Sequence, residues 1–105
     1  MSVLLDLTMF PTDKGESVSA YVSRIIRFID DRGIGYRLTP MGTIMEFDDV
    51  REALRVMADA YDLLDPDCSR VYAVAKLDIR KGKTGRLAGK IESVERRLGK
   101  KVRTS

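Results

Sequence analysis

The order of periodic segments in this sequence predicts an α+β sandwich whose helices cover one face of a four-stranded antiparallel sheet. Residues 70–80 place small or apolar side chains at every second position, from Val71 to Ile79, which is typical of a half-buried β-strand. Residues 50–64 place apolar side chains three and four positions apart, which is typical of an amphipathic helix. The full order β-α-β-β-α-β-α then predicts two βαβ halves with right-handed crossovers. This is the ferredoxin-like βαββαβ sandwich with an extra C-terminal helix.

The first half of the chain supplies three of the strands and one helix. Residues 3–10 alternate with rather apolar side chains on both faces, so we expect a central strand. Ser17 is the expected N-cap of the first helix, which Gly33 ends. Residues 35–39 and 43–47 predict strands two and three, and the proline in the turn between them favours an edge position for strand two.

The second half supplies the remaining strand and two helices. Asp49, with Glu52 three positions later, is the expected N-cap of the second helix. A narrow apolar seam then predicts a third helix that Gly99 ends. Strand four, residues 70–80, exceeds the usual length of about 5–6 residues. We therefore expect its far end, near Asp78–Arg80, to project past its neighbours. Residues 100–105 are polar and are expected to form a frayed tail.

Composition limits the classes of function that this chain can have. Its 105 residues, 44% of them hydrophobic, are expected to form a single domain, and no apolar run approaches the roughly 20 residues of a spanning helix. We expect no signal peptide and a cytoplasmic location, with Cys68 as an unreactive thiol. The chain contains no histidine, which excludes Ser-His and Cys-His catalytic pairs and histidine-rich metal sites.

The charge is divided unevenly between the two parts of the chain. Residues 1–75 hold 8 basic and 13 acidic side chains, a net −5, and residues 76–105 hold 11 basic and 3 acidic ones, a net +8. The basic end could attract anions or nucleic acid, but solvated helix and tail surface is the simpler explanation, because lysine and arginine side chains are mostly exposed to water. Its loop Gly82–Gly85 is weakly similar to a phosphate-binding loop but lacks the leading glycine, so that motif is not assigned.

Two helices can cover only one face of the predicted sheet, and strand alternation determines which side chains lie on the other face. We call this other face the outer face. It mixes apolar and charged groups, which favours contact with a second copy of the chain, either face to face or between fourth strands at the sheet edge. The alternative is that the third helix folds over it. The predicted members are Leu4, Asp6, Thr8, Phe10, Arg37, Thr39, Ile44, Glu46, Tyr72, Val74, Lys76, Asp78 and Arg80.

Three segments carry candidate ligand-binding residues. Ser17 and Ser19 begin a helix and would suit an anion or a polar ring acceptor, unless they only cap the helix. Gly42 and Thr43 lie in a turn where a ligand can approach the backbone closely.

Farther along strand three, Glu46 could hold an aminopyrimidine by a charge-assisted bond, or could instead form a salt bridge to Lys76 or Arg80. Lys76, Asp78 and Arg80 form the third candidate group. The two cations would suit phosphate, and the alternative is a solvated or interfacial ion network.

An ordered set of short motifs resembles the small thiamine-binding protein family, formerly an uncharacterised family. The motifs are Ser17-Val-Ser-Ala-Tyr-Val22, then Tyr36-x-Leu-Thr-Pro-Met-Gly-Thr43-x-x-Glu46, then Arg70-Val-Tyr72, Lys76-x-Asp78-x-Arg80 and Lys90-Ile-Glu-Ser-Val94. The resemblance implies a ferredoxin-like subunit in a homotetramer, a dimer of dimers. It also implies binding of thiamine or hydroxymethylpyrimidine without catalysis. The family positions correspond to Ser17, Ser19, Gly42, Thr43, Glu46, Asp78 and Arg80.

The sequence therefore predicts a non-catalytic, homo-oligomeric binding protein with no cofactor and no membrane partner, in which Glu46 bonds the aminopyrimidine. Three other functions compete with this prediction. One is a ligand-free assembly or regulatory subunit. Another is an RNA-binding module, which the outward Ile44 and Glu46 disfavour because such modules place aromatic rings there. The last is an enzyme, which lacks a visible nucleophile–base pair.

Overall fold

The computed structural model describes residues 1–101, apart from the side chain of Lys90. Its strands lie in the order β2-β3-β1-β4 and all neighbours are antiparallel, so β1 and β3 are central and β2 and β4 are edges, as predicted. The predicted fold class is confirmed. Most of the predicted tail, residues 102–105, lies outside the described residues. The elements are β1 Ser2–Pro11, α1 Ser19–Asp31, β2 Gly35–Thr39, β3 Gly42–Phe47, α2 Val50–Asp62, β4 Val71–Arg80 and α3 Arg86–Leu98.

The core forms where the apolar face of the central strands meets α1 and α2. Alternation along β1 buries every second side chain from Val3 to Met9, and β3 adds Met45 and Phe47. The helices contribute side chains at helical spacing, among them Ile25 and Ile29 from α1. Burial of each large aliphatic side chain stabilises the fold by about 1.5–3 kcal/mol. This shared core fixes both helices to one face of the sheet.

β4 differs from the other strands because every residue after Val71 is exposed. Leu77 and Ile79 pair with Leu5 and Val3 and therefore lie on the helix side, yet they remain 37% and 50% exposed. The reason is that α1 and α2 pack on β1, β2 and β3. The strand farthest from the helices thus has two accessible faces and an unpaired edge.

The expectation that the Asp78–Arg80 end of β4 projects past its neighbours is wrong. β1 is also ten residues long, and Ser2 pairs with Arg80, so that end of β4 is paired throughout. The other end, from Val71 to Val74, extends beyond β3, because the pairing of β3 with β1 stops at Leu7.

α3 covers one end of the outer face. It contacts β1, β2 and β3, and a Cβ added at Gly35 would lie 3.5 Å from Leu87 Cδ1. At the other end of that face Tyr72 is 53% exposed, with its ring 5.6 Å from that of Phe10. The third helix is therefore a partial cover. No helix in the described part of the chain combines the length and the apolar content needed to cross a membrane.

Candidate functional site

A cavity of about 250 Å³ opens between α1, the second half of β1 and the β2–β3 turn. Its walls are mostly apolar and include Val18, Val22 and Ile25 from α1. Gly42 and Thr43, two of the predicted ligand-binding residues, also line it. Small-molecule sites usually measure about 300–1,000 Å³. The cavity is therefore of a size to enclose a single ring, with the rest of a larger ligand outside.

Thr43 supplies an uncommitted polar group in this cavity. Its side chain lies on the helix side of β3 and is 7% exposed. Within residues 1–101, no hydrogen bond engages its hydroxyl, and every fully buried side-chain oxygen or nitrogen has a partner. Because Thr43 lines the cavity, its hydroxyl is free to donate one hydrogen bond to a group bound there and to accept others.

The turn beside Thr43 is held by two other threonines. The Thr39 hydroxyl donates to the Gly42 carbonyl over 2.8 Å and accepts from the Met41 N–H over 3.2 Å. The Thr8 hydroxyl donates to the Met41 carbonyl over 2.8 Å. A Cβ added at Gly42 would lie 2.8 Å from Asp6 Oδ1 and 2.9 Å from Thr8 Oγ1. The sequence predicted that a ligand approaches the backbone closely at Gly42. In the structure, side-chain atoms of the same chain make that close approach.

The serine segment lies at the α1 edge of the same cavity, but the predicted N-cap is wrong. Val18 is the N-cap, with φ −112° and ψ −1°, and its carbonyl accepts from the Tyr21 and Val22 N–H groups at 3.0 Å. No side chain caps the helix. Ser17 and Ser19 are both exposed. The first N–H groups of α1 therefore lack a side-chain acceptor close to the cavity wall formed by Val18.

Glu46 lies on the opposite face of the sheet, under the start of α3. One of its oxygens accepts from the Ser2 hydroxyl over 2.6 Å and from the Arg86 N–H over 2.9 Å, and the other accepts from the Leu87 N–H over 3.2 Å. Gly85, the N-cap of α3, offers no side chain for this purpose. Glu46 therefore caps α3 from a strand that is distant in sequence. Neither of the two predicted partners of Glu46, an aminopyrimidine or a basic side chain of β4, was this helix N-terminus.

These contacts hold the pKa of Glu46 below its ordinary value. Burial is the largest single influence and opposes ionisation. The hydrogen bonds from Ser2 and from the Arg86 and Leu87 N–H groups, with the positive charge of Arg86, favour the carboxylate and together outweigh burial. Glu46 is therefore a charged group whose hydrogen-bonding capacity serves the fold.

Arg86 connects Glu46 to Asp78. Its guanidinium donates to Asp78 Oδ2 over 2.7 Å, to the Ser2 hydroxyl over 2.9 Å and to the Ser2 carbonyl over 2.8 Å. Its side chain is only 10% exposed. We call Ser2, Glu46, Asp78 and Arg86 the α3 anchor. The sequence interpretation missed Ser2 and Arg86, because no local pattern marks them.

The predicted site residues therefore do not form one site. Gly42 and Thr43 line the cavity. Ser17 and Ser19 flank Val18 of its wall but do not line it, and Ser19 lines a separate groove along α1. Glu46 and Asp78 belong to the α3 anchor.

The two predicted phosphate-binding cations are also separate from each other. Arg80 lines a cleft beside α3, while Lys76 lines a shallow hollow on the outer face with Asp6 and Thr8.

The described residues were compared with the side-chain clusters that hold metal ions in proteins. Those residues contain no cluster of three or more histidine, cysteine or acidic side chains suited to a metal ion. Cys68, which the sequence places in a polar segment, is a free thiol that is 8% exposed and packs with the core.

Comparison with known proteins gives consistent matches over nearly the whole chain. The profile of the thiamine-binding protein family matches residues 5–95. The UPF0045 protein of Mycobacterium bovis is 35% identical over 98 residues, which cover 93% of this chain and 96% of that protein. The UPF0045 protein of Methanothermobacter thermautotrophicus is 28% identical over 98 residues, covering 91% and 99%.

Solved structures show the same fold. A hypothetical protein from Methanocaldococcus jannaschii matches with a TM-score of 0.77 and 30% identity, over 89% of this chain and 95% of that one. A Thermotoga maritima protein proposed to act in thiamine biosynthesis or salvage also has a TM-score of 0.77, with 17% identity over 90% and 99%. The family profile covers far more than half of the sequence and agrees with the resemblance of the short motifs. The chain therefore belongs to the thiamine-binding protein family.

Proposed function

We propose that this protein binds thiamine or its hydroxymethylpyrimidine moiety, without catalysis and without a cofactor, as a homo-oligomer in the cytoplasm. The observation that carries the proposal is the cavity between α1 and the β2–β3 turn, with the uncommitted hydroxyl of Thr43 in its wall. Family membership supports thiamine as the ligand class, as does the description of the Thermotoga maritima structure.

The chemistry of an aminopyrimidine suits this cavity. The ring has flat apolar faces, which the aliphatic side chains of Val22 and Ile25 can cover. Its polar edge carries an amino donor and nitrogen acceptors, and the Thr43 hydroxyl can pair with either kind of group. The uncapped start of α1 adds N–H donors and a partial positive charge that suit a ring nitrogen or a hydroxymethyl oxygen. The thiazolium of thiamine would extend out of the cavity.

The binding experiment is calorimetric titration of the intact protein with hydroxymethylpyrimidine and with thiamine. Replacing Thr43 by valine preserves the side-chain volume and removes the hydroxyl, so we expect affinity to fall about 5–20-fold, or roughly 1–2 kcal/mol. Thr12→Val is the matched control. Thr12 is exposed, outside the cavity, and its hydroxyl makes only a 3.5 Å contact with the Arg70 carbonyl.

Two outcomes would count against the proposed site. If neither compound binds, thiamine binding is not the function of this chain. If both compounds bind and Thr43→Val matches wild type, the ligand lies elsewhere. In that case the same titration with Asp6→Asn tests the outer-face hollow that Asp6 and Lys76 line.

The homo-oligomer is proposed from the exposure of β4. This strand of ten residues has an unpaired edge and exposed apolar side chains on both faces, Val74 outward and Leu77 and Ile79 toward the helix side. Long exposed apolar edges are usually blocked or paired, because their free N–H and C=O groups recruit another strand. Pairing of β4 with β4 of a second copy would join the two sheets. The exposed end of the outer face, with Tyr72, would then join dimers into a tetramer.

Light scattering after size exclusion measures this assembly. We expect a mass near four times the 11.8 kDa of one chain. Leu77→Lys combined with Ile79→Lys places two charges on the edge strand and should shift the mass toward the monomer. Val94→Lys is the control, because it adds a charge at a 41% exposed apolar residue of α3 and leaves β4 unchanged. A wild-type monomer, or an assembly that the double variant leaves intact, would contradict β4 pairing.

A further inference from the structure

A second cleft lies on the other side of the sheet from the Thr43 cavity, at the far end of β4. It has a volume of about 640 Å³ and is walled by the end of β4, the loop that follows it and the side of α3. Four cationic residues line it, namely Arg86, which is paired with Asp78, and Arg80, Lys83 and Arg96, which come from these three elements. The fold thus brings together cations that are up to 16 positions apart in the sequence.

In the part of the chain that the structure describes, Arg80, Lys83 and Arg96 form no salt bridge. The cleft also holds Asp78 and Glu92, but Asp78 is paired with Arg86 at 2.7 Å. Among residues 1–101, no carboxylate lies within 4.0 Å of the charged groups of Arg80, Lys83 or Arg96. The four cations of the cleft outnumber its two carboxylates, and such an excess on a concave surface produces a positive potential that attracts anions.

Gly89 provides an independent indication that something enters this cleft. It lies inside α3, where glycine weakens a helix relative to alanine. A Cβ added at Gly89 would meet no heavy atom of the described residues within 4 Å, so their packing does not require a glycine. Gly89 lines the cleft, where the missing side chain leaves the helix backbone open to a close contact.

We propose that this cleft binds the phosphate or diphosphate group of a phosphorylated small molecule. The guanidinium groups of Arg80 and Arg96 suit bidentate contacts with phosphate oxygens, and Lys83 adds a point charge from the loop. The bound group would contact both β4 and α3, and would thereby strengthen the docking of α3 on the sheet. The cleft is separate from the thiamine cavity proposed above, so either site can fail without the other.

The test is calorimetric titration of the full chain with inorganic phosphate and with pyrophosphate, at an ionic strength held constant with sodium chloride. We expect saturable binding of one anion per chain, tighter for pyrophosphate. Arg96→Gln should weaken pyrophosphate binding by about tenfold, because it removes a charge-assisted contact. Arg97→Gln is the control, because it removes the same charge from the next residue, which is exposed and outside the cleft.

Gly89→Ala separates ligand contact from helix stability. Alanine favours the helix and here meets open space, so the thermal midpoint should rise, while pyrophosphate affinity should fall several-fold because the methyl group occupies the contact surface. A linear, unsaturable response equal to that of sodium chloride would overturn the proposal. So would equal affinities for Arg96→Gln and Arg97→Gln, or tight binding of an RNA oligonucleotide that pyrophosphate does not displace.

Discussion

The two ends of β3 carry the two most prominent polar candidates, and their surroundings are opposite. Thr43 and Glu46 are three positions apart in one strand, so the pleat directs them to opposite faces of the sheet. Thr43 faces a cavity and has an uncommitted hydroxyl, whereas Glu46 accepts three hydrogen bonds from its own chain. Thr43 and Glu46 belong to the same sequence motif, but they have different roles in the structure. The satisfied group stabilises the fold, and the unsatisfied one is available to a ligand.

The largest expected effect comes from removing the charge of Glu46. In Glu46→Gln the amide oxygen can replace only one of the two carboxylate oxygens, so the amide N–H₂ would face either the Leu87 N–H or the Arg86 N–H and the Ser2 hydroxyl. We expect a loss of about 2–3 kcal/mol in the free energy of unfolding. Urea denaturation measures the loss, and hydrogen exchange should show it first in the opening turn of α3. Glu16→Gln, in an exposed loop, is the control.

The same variant sharpens the comparison when ligand affinity is measured. If the ligand occupies the Thr43 cavity, Glu46→Gln should leave its affinity within about twofold of wild type. A tenfold or larger drop in ligand affinity would show that Glu46 belongs to the binding site.

Acid should reversibly weaken the hydrogen bonds that Glu46 accepts. The loss in the free energy of unfolding should be no larger than the loss caused by Glu46→Gln. The pKa of Glu46 lies below its ordinary value of 4.5 in the folded chain. Its stabilising contribution is therefore complete above about pH 4.5 and is lost as pH falls through the folded pKa. Asp13, whose pKa is also lowered, mainly by hydrogen bonds from Ser69, acts in the same direction. Urea midpoints measured from pH 7 to pH 3 should fall less steeply for Glu46→Gln than for wild type, and equal slopes would contradict this assignment.

A smaller effect is expected at the other end of β3. The methyl group of Gly42→Ala would meet Asp6 Oδ1 and Thr8 Oγ1 within 3 Å and the Leu7 carbonyl at 3.2 Å, so the turn must shift. We expect a loss of about 1–2 kcal/mol in stability, together with weaker ligand binding because the cavity wall moves. Gly35→Ala is the matched control, since its methyl group would make an ordinary 3.5 Å contact with Leu87. If the two variants are indistinguishable in urea denaturation and in ligand titration, the turn is more adaptable than its contacts indicate.

The fold was predictable because its signals are local. Alternation in β1 and β4 and helical spacing in α2 identify the elements, and the connection rules then select one topology. The outer face was predictable for the same reason, since the observed register places Leu4 between Glu46 and Asp78. The errors arose where an outcome depended on neighbouring segments: Val18 rather than Ser17 is the N-cap of α1, and β1 is as long as β4.

The secondary-structure elements, the two faces of each strand and the family could all be predicted from the sequence, because each follows from residue periodicity or from short ordered motifs. The tertiary structure alone decided which polar side chains are engaged. Glu46 meets the backbone of Arg86 across 40 positions, and the Ser2 hydroxyl meets the Arg86 guanidinium across 84. Such contacts depend on how the chain brings distant segments together, and no periodicity encodes them. For that reason the Thr43 cavity and the Arg80–Arg96 cleft became distinguishable only in three dimensions.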